Sequence, residues 1–454
     1  MPDFDPIFKA YDVRGVVPDQ FDAAMARAIG AAFAAFARQA EGATRVLLGR
    51  DMRPSGVELS AAFAEGVTSQ GVDVVEIGLA STDMLYFAAG SRNAPGAMFT
   101  ASHNPAQYNG IKMCLAGAKP IGEESGLHDI KVMARAGLAP LEGRRGEISH
   151  DDVLADFAAH VRSFVDVAAL RPLKVVADTA NGMGGLVVPE VFAGLPFELE
   201  ILYPELDGTF PNHPADPIQP ENLRDLQARV LATGADIGLA FDGDADRVFL
   251  VDEHAQPVSG SLTTALVASR VLAREPGATI IHNLICSKTV AEVVREMGGT
   301  PVRSRVGHSF IKQLMAETGA AFAGEHSGHY YFRDNWRADS GLIAAVSVLE
   351  AMSLTGQSLS QLLAPLQRYV ASGEINTKVP DPRAVIERVA KAYAGTPQDT
   401  LDGLTVDLGD WWFNLRPSNT EPLLRLNLEA RTQAECDAHV AEVRAAIAAA
   451  SKEA

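Results

Sequence analysis

The sequence predicts an α/β protein of three similar mixed domains, with helices packed on largely parallel sheets, followed by a C-terminal α+β domain with an antiparallel sheet. Three observations carry this. At 454 residues the chain is too long for one core, and roughly 100–200 residues per domain gives three or four. Short apolar runs alternate with helical periods over most of the chain, the pattern of parallel βαβ units. The last 85 or so residues abandon that alternation for closely spaced strands.

Phe21, Met25, Ile29, Phe33 and Phe36 fall at helical spacing on an otherwise Ala-rich and polar surface. Val46-Leu-Leu48 reads as a buried strand ending at Gly49-Arg-Asp51. A helix over 55–70, a strand over 72–77 and a strand ending at Phe99 follow. Lys174-Val-Val-Ala-Asp178 begins a second unit, and Ala278-Thr-Ile-Ile281 with a helix from about Ser287 begins a third. A divergent internal repeat fits this order, without a strict period. Residues 374–379, 404–407, 411–415 and 423–428 read as antiparallel strands, with helices near 383–394 and 432–450. The domains expected are 1–150, 151–253, 254–369 and 370–454, with a hinge near Gly373. The Pro-rich stretch 204–220 reads as a long surface loop.

With 47% hydrophobic and 21% charged residues the chain has the composition of a globular protein. A net charge of −18 argues against nucleic acid or an anionic membrane as partner. Three widely spaced cysteines, Cys114, Cys286 and Cys436, suggest a reducing compartment, not a disulfide framework or zinc site. The start Met-Pro-Asp-Phe-Asp-Pro has neither a basic nor an apolar signal region, and no uninterrupted 18-residue apolar stretch occurs. The expectation is a cytoplasmic protein, monomer or homodimer.

Thr100-Ala-Ser-His-Asn-Pro105 places Ser102 in a polar turn after the apolar Gly96-Ala-Met-Phe99, and Phe241-Asp-Gly-Asp-Ala-Asp-Arg247 sets three carboxylates at alternate residues. Asp242, Asp244 and Asp246 cannot share a helix face, but a turn at Gly243 can fold them towards one point. Such a set suits Mg²⁺, with Ser102 able to supply a further oxygen. A calcium loop of the EF-hand type also places acids at Asp242, Asp244, Asp246 and Glu253. It fails because Arg247 stands where a glycine must turn and Val248–Val251 reads as a strand. Together the two loops suggest a serine that carries a phosphoryl group beside a hard cation, since phosphoryl transfer requires chiefly positioning and charge neutralisation.

These loops, with Gly324-Glu-His-Ser-Gly-His329, Arg416-Pro-Ser-Asn-Thr-Glu-Pro422 and the opening Phe8-Lys-Ala-Tyr-Asp-Val-Arg-Gly15, resemble in order the signatures of the α-D-phosphohexomutases, from about residue 5 to 450. The histidine in the third loop, where phosphoglucosamine mutases usually carry Gln, makes the resemblance closest to phosphomannomutase/phosphoglucomutase. The resemblance implies one central cleft, closed by the fourth domain. It also implies one Mg²⁺ per chain, hexose phosphates as small-molecule partners, and a hexose 1,6-bisphosphate as intermediate and activator.

Ser102 is then the phosphoryl carrier, with Arg14, Lys112, His329 and His103 handling protons and charge around it. His103 is better suited to orienting the turn than to acting as a base. Lys112 would serve as a base if its pKa were depressed beside the metal. Glu325 and Ser327 can bind adjacent sugar hydroxyls. Arg416, Ser418, Asn419 and Thr420 concentrate donors for a non-transferring phosphate, and Tyr11, Arg247 and His308 complete the substrate set. Ile285 stands where relatives often have a basic residue, so that either Lys288 or His308 supplies that phosphate contact or the contact is absent. A phosphoglucosamine mutase, a sugar-phosphate phosphatase or a non-catalytic sensor are the alternatives.

Overall fold

The structure is a computed structural model that describes residues 3–417 and 423–452. Four sheets are built in chain order. In the first, Arg45–Arg50 is flanked by parallel neighbours Asp73–Leu79 and Gly96–Phe99, and Tyr108–Leu115 is added antiparallel to Gly96–Phe99. In the second, Ile237–Phe241 runs parallel to Lys174–Asp178 and antiparallel to Val248–Asp252. In the third, Phe322–Gly324 runs parallel to Thr279–Asn283 and antiparallel to Tyr330–Phe332. The sheets are therefore mixed, and the internal repeat is topological. In each, a signature loop turns a parallel strand back into an antiparallel partner.

The helices follow from local sequence. Ala23–Glu41 starts where Asp22 caps the amide of Met25 and ends at Gly42, whose φ of 69° accepts the left-handed stop. Its buried Met25, Ile29 and Phe33 are the stripe seen in the sequence. Two helices escape sequence periodicity. Thr82–Ser91 is capped by Ser81 and buried over most of its length. Gly341–Thr355 is apolar all round because it is buried on all sides, so it shows no amphipathic period.

The apolar core is shared. One cluster runs through the first three units, including Leu85, Phe157, Phe241, Phe322 and Leu349, while Phe413, Leu415, Val443 and Ile447 form a separate core in the fourth. The fourth sheet is antiparallel throughout its pairings. Val370–Ala371 already pairs with its strand Leu423–Ala430. Gly373 links Val370–Ala371 to Ile375–Lys378, which pairs with the same partner.

The Pro-rich loop is also more than surface. A Cβ on Gly208 would come 2.6 Å from the Cα of Arg53, and Phe210 lies 5.1 Å from the Arg53 guanidinium. Among the described residues, no single helix is long and apolar enough to cross a membrane.

Candidate active site

Ser102 sits at the end of Gly96–Phe99, 4% exposed, with φ of 50°. A serine in the left-handed region is disfavoured and persists only where its surroundings impose it. Here Arg53 does so. Its guanidinium, fully buried, donates to the carbonyls of Ser102 at 2.9 Å, Asn104 at 2.6 Å, Pro105 at 2.8 Å and Tyr108 at 2.9 Å. Asp51 balances its charge at 3.2 Å. The loop is thus gripped by its backbone, leaving the side chain of Ser102 available for chemistry.

The metal loop meets this turn directly. A Cβ on Gly243 would come 2.4 Å from the Ser102 carbonyl oxygen, so only glycine permits the approach. Ser102 Oγ donates to Asp242 Oδ2 at 2.8 Å. Carboxylate oxygens of the buried Asp242, Asp244 and Asp246 all lie within 4.8 Å of one another, and Oδ1 of both Asp244 and Asp246 is buried without a hydrogen-bond partner. Three desolvated carboxylates with orphaned oxygens, next to a serine hydroxyl, fit a hard divalent cation. Burial pushes Asp242 up to about 7, despite the opposing pull of Arg247.

Two cations contact the carboxylates, and a third holds the serine turn. Lys112, on the antiparallel strand opposite Met98, donates to Asp244 Oδ2 at 2.8 Å and Asp246 Oδ2 at 2.6 Å. Burial opposes its charge, but the two carboxylates outweigh this and hold its pKa well above the usual lysine value. The direction is opposite to the depression that a base role for Lys112 would require, because the acids that would bind the metal also hold the ammonium. Arg247 Nε donates to Asp242 Oδ2 at 2.9 Å, and its Nη2 lies 3.3 Å from Ser102 Oγ and 2.5 Å from His103 Nδ1. Arg14 donates to Asn104 Oδ1 at 2.6 Å and so steadies the serine turn from the N-terminal strand. Burial, then Arg247 and Arg14, drive His103 down to about 2. His103 is therefore neutral and serves as an acceptor within the turn.

The third loop brings Glu325 and His329 alongside. Glu325 is 2% exposed, and its carboxylate accepts from Tyr331 Oη at 2.6 Å and Asn283 Nδ2 at 3.1 Å. Ser327 is half-buried at the loop tip. His326 is tied to Ser261 at 3.1 Å. His329 Nδ1 lies 2.9 Å from Asp339 Oδ2, and ligand atoms of Asp246, His329 and Asp339 fall within 4.8 Å of one another. Burial disfavours the charged His329, yet the Asp339 hydrogen bond and Asp246 outweigh it and raise its pKa. Tyr11 and His308 pack edge to face, ring centroids 5.0 Å apart, at the start of the helix His308–Thr318.

In the fourth domain, Arg416 Nη2 donates to Glu374 at 2.9 Å, and its Nε is buried with no partner among the described residues. Ser418, Asn419 and Thr420 lie outside the described residues. Lys288 is committed elsewhere: its ammonium donates to Asp407 at 2.6 Å and the Gly409 carbonyl at 2.8 Å, both in the fourth domain. Ile285 is half-buried.

Several supporting residues have no motif signature. Thr82 donates to Asp244 Oδ2 at 2.5 Å from a helix 162 positions away. Arg53, Asp51, Asp339 and Lys312 are likewise buried polar groups. The only sequence sign of Arg53 and Asp51 is that they follow a strand end, where α/β sheets build their sites.

Comparison with known proteins matches this arrangement throughout. Residues 5–135, 155–256 and 259–369 match phosphoglucomutase/phosphomannomutase alpha/beta/alpha domains I, II and III, and residues 374–447 match the C-terminal domain. The chain is 42% identical to a protein named phosphohexose mutases from Xanthomonas campestris pv. campestris, over 94% of this chain and 96% of the relative. It is 40% identical to a phosphomannomutase of Salmonella montevideo, over 93% and 94%. It is 38% identical to a phosphoglucomutase of Neisseria meningitidis, over 94% of each. A crystal structure of a phosphoglucomutase/phosphomannomutase family protein from Burkholderia thailandensis superposes with a TM-score of 0.88 at 38% identity, covering 98% of this chain and 97% of that one. With all four domains present in order and relatives this similar over nearly the whole chain, the protein is an isomerase of the phosphoglucomutase/phosphomannomutase family.

Proposed function

We propose that this enzyme interconverts mannose 6-phosphate and mannose 1-phosphate, and glucose 6-phosphate and glucose 1-phosphate, through a phosphoryl group carried on Ser102. The observation that supports it most is the convergence of Ser102 Oγ, Asp242 and Arg247 at hydrogen-bonding distance, from loops 140 and 145 residues apart. The units 1–150, 151–253, 254–369 and 370–454 each contribute one loop: the serine, the carboxylates, the sugar contacts and the phosphate contacts.

In the forward half-reaction the bond from phosphorus to Ser102 Oγ breaks and a bond to the free sugar hydroxyl oxygen forms. The hydroxyl proton passes to a base, a role assigned to His329. The resulting hexose 1,6-bisphosphate turns end for end. Its other phosphoryl group then returns to Ser102 Oγ, and the proton returns to the sugar oxygen left behind. The same bisphosphate serves as activator by phosphorylating a resting Ser102. Asp242, Asp244, Asp246 and an oxygen on Ser102 would hold Mg²⁺, which supplies positive charge against the transferring group when bound. Lys112, donating to Asp244 and Asp246, contributes positive charge beside the transferring group. Glu325, fixed by Tyr331 and Asn283, offers its carboxylate to sugar hydroxyls together with Ser327.

Arg416, with Ser418, Asn419 and Thr420, receives the phosphate that is not being transferred. Arg416→Ala is expected to raise KM for every hexose phosphate by a similar factor, about 10–150-fold, the value of a charge-assisted phosphate contact. Steady-state kinetics on mannose 1-phosphate and glucose 1-phosphate check this, and a loss confined to one sugar contradicts the assignment.

Glucose and mannose differ only at C2, whereas Glu325 and Ser327 are assigned to hydroxyls common to both. Without a buried donor or acceptor committed to C2, the large penalties of unpaired polar groups do not arise. The expected kcat/KM ratio between the two 1-phosphates is no more than about 10–30-fold, or roughly 1.4–2 kcal/mol. Glucosamine 1-phosphate should be poorer, because its ammonium enters a site furnished with Arg and Lys. A preference above about a thousandfold for either neutral hexose, read from the same kinetics, rules the shared-hydroxyl assignment out.

A further inference from the structure

Behind His329 lies a buried chain of groups outside the signature loops. Asp339 follows the strand Tyr330–Phe332 and bridges back to Tyr331, which places its carboxylate beside the imidazole. Oδ2 lies 2.9 Å from His329 Nδ1, and Oδ1 lies 3.0 Å from the ammonium of Lys312, on the helix His308–Thr318. Lys312 and Asp339 are 2% and 3% exposed. The ammonium also sits 3.9 Å from the ring centre of Tyr86, from the first domain. Its contact with Oδ1 is a contact of charges, not an aligned hydrogen bond.

We propose that Asp339 is a positioning residue that fixes the tautomer of His329, and that Lys312 in turn fixes the orientation of Asp339. A carboxylate can only accept, so the hydrogen must stand on Nδ1 and the lone pair on Nε2. That tautomer is the one able to take a proton through Nε2. The inference rests on the reading of His329 as proton acceptor given above. An ion pair kept only for stability would not need the histidine, since a buried pair can often be replaced by apolar groups at little cost.

Asp339→Asn tests this because Lys312 decides which way the amide faces. The ammonium favours the carbonyl oxygen at the Oδ1 position, which turns the NH₂ towards His329 Nδ1. Nδ1 must then accept, the proton moves to Nε2, and the base is blocked. Turnover should fall by at least about 100-fold, the range of general base catalysis, while KM moves by less than about threefold. Removing the ammonium as well frees the amide to turn its carbonyl to His329. The double variant Asp339→Asn/Lys312→Met should therefore turn over at least about tenfold faster than Asp339→Asn alone. Ring-¹⁵N spectra of histidine-labelled protein, with His329 assigned by its loss in His329→Ala, should show Nδ1–H in the wild type and Nε2–H in Asp339→Asn.

His329→Ala separates the two layers. Near-wild-type turnover in that variant overturns the reading of His329 as base. An inactive His329→Ala with near-wild-type kcat in Asp339→Asn overturns the positioning role alone. A slow Asp339→Asn with an unchanged His329 tautomer and no recovery in the double variant also overturns it, since the loss would then be structural.

Discussion

Ser102→Ala is expected to reduce turnover below about one percent of wild type while hexose-phosphate binding persists, because the hydroxyl is the covalent relay and other loops hold the ligand. The structure says why this loss should not come from unfolding. The turn is held by Arg53 through the carbonyls of Ser102, Asn104, Pro105 and Tyr108, none of which the substitution touches. The Ser102 Oγ contacts with Asp242, Arg247 and His103 disappear, of which the shortest, to Asp242, contributes about 1 kcal/mol, and Asp242 keeps its bond from Arg247. Calorimetric titration with glucose 1-phosphate should therefore still report binding. Turnover well above one percent, with binding intact, would remove Ser102 from the reaction path.

Asp244→Asn and removal of metal from the wild type are expected to converge on the same defect. EDTA treatment should abolish activity and Mg²⁺ should restore it, whereas Asp244→Asn should stay at least about 100-fold slower at any Mg²⁺ concentration. A second readout is independent of turnover. A ligand that binds only the folded state at 100 times its Kd adds about 2.7 kcal/mol, so Mg²⁺ should raise the melting temperature of the wild type and do so far less in Asp244→Asn. The carboxylates make this expectation physical: Asp242, Asp244 and Asp246 crowd within 4.8 Å with orphaned oxygens. The substitution also takes a carboxylate from Lys112, which is why the metal titration of the wild type must accompany it. Full activity in metal-free buffer would rule the site out.

What could be read before the structure, and what could not, divides along a physical line. The loops around Ser102, Asp242 and Glu325 were legible because a polar, Asp-, Ser- or Gly-rich segment at the end of an apolar strand has few purely structural uses. The strands beside them were legible from continuous apolar runs such as Val248–Val251. The supporting groups were not. Thr82 reaches Asp244, Ser340 reaches Asp83, and Lys312 reaches Tyr86 across separate units, and no local pattern announces a contact made over such distances.

The direction of the Lys112 pKa was not legible for a related reason. Sequence gives a lysine near acids, but its sign depends on whether burial or the two carboxylates at 2.6 and 2.8 Å win. The helix Gly341–Thr355 was missed because burial on all sides erases the period that would reveal it. Gly373 was legible as a backbone break because its φ of 68° is a left-handed conformation that a glycine serves.

The relay on Ser102 is tested most directly by the mass of the peptide that contains it, measured after the enzyme is mixed with glucose 1,6-bisphosphate and again after excess mannose 6-phosphate, a hexose monophosphate acceptor, is added. The expected result is a gain of one phosphoryl group at Ser102 in the first sample and its loss in the second, with that group recovered in hexose bisphosphate. A Ser102 peptide that never changes mass while the enzyme turns over, or a phosphoryl group that leaves only to water, would contradict it.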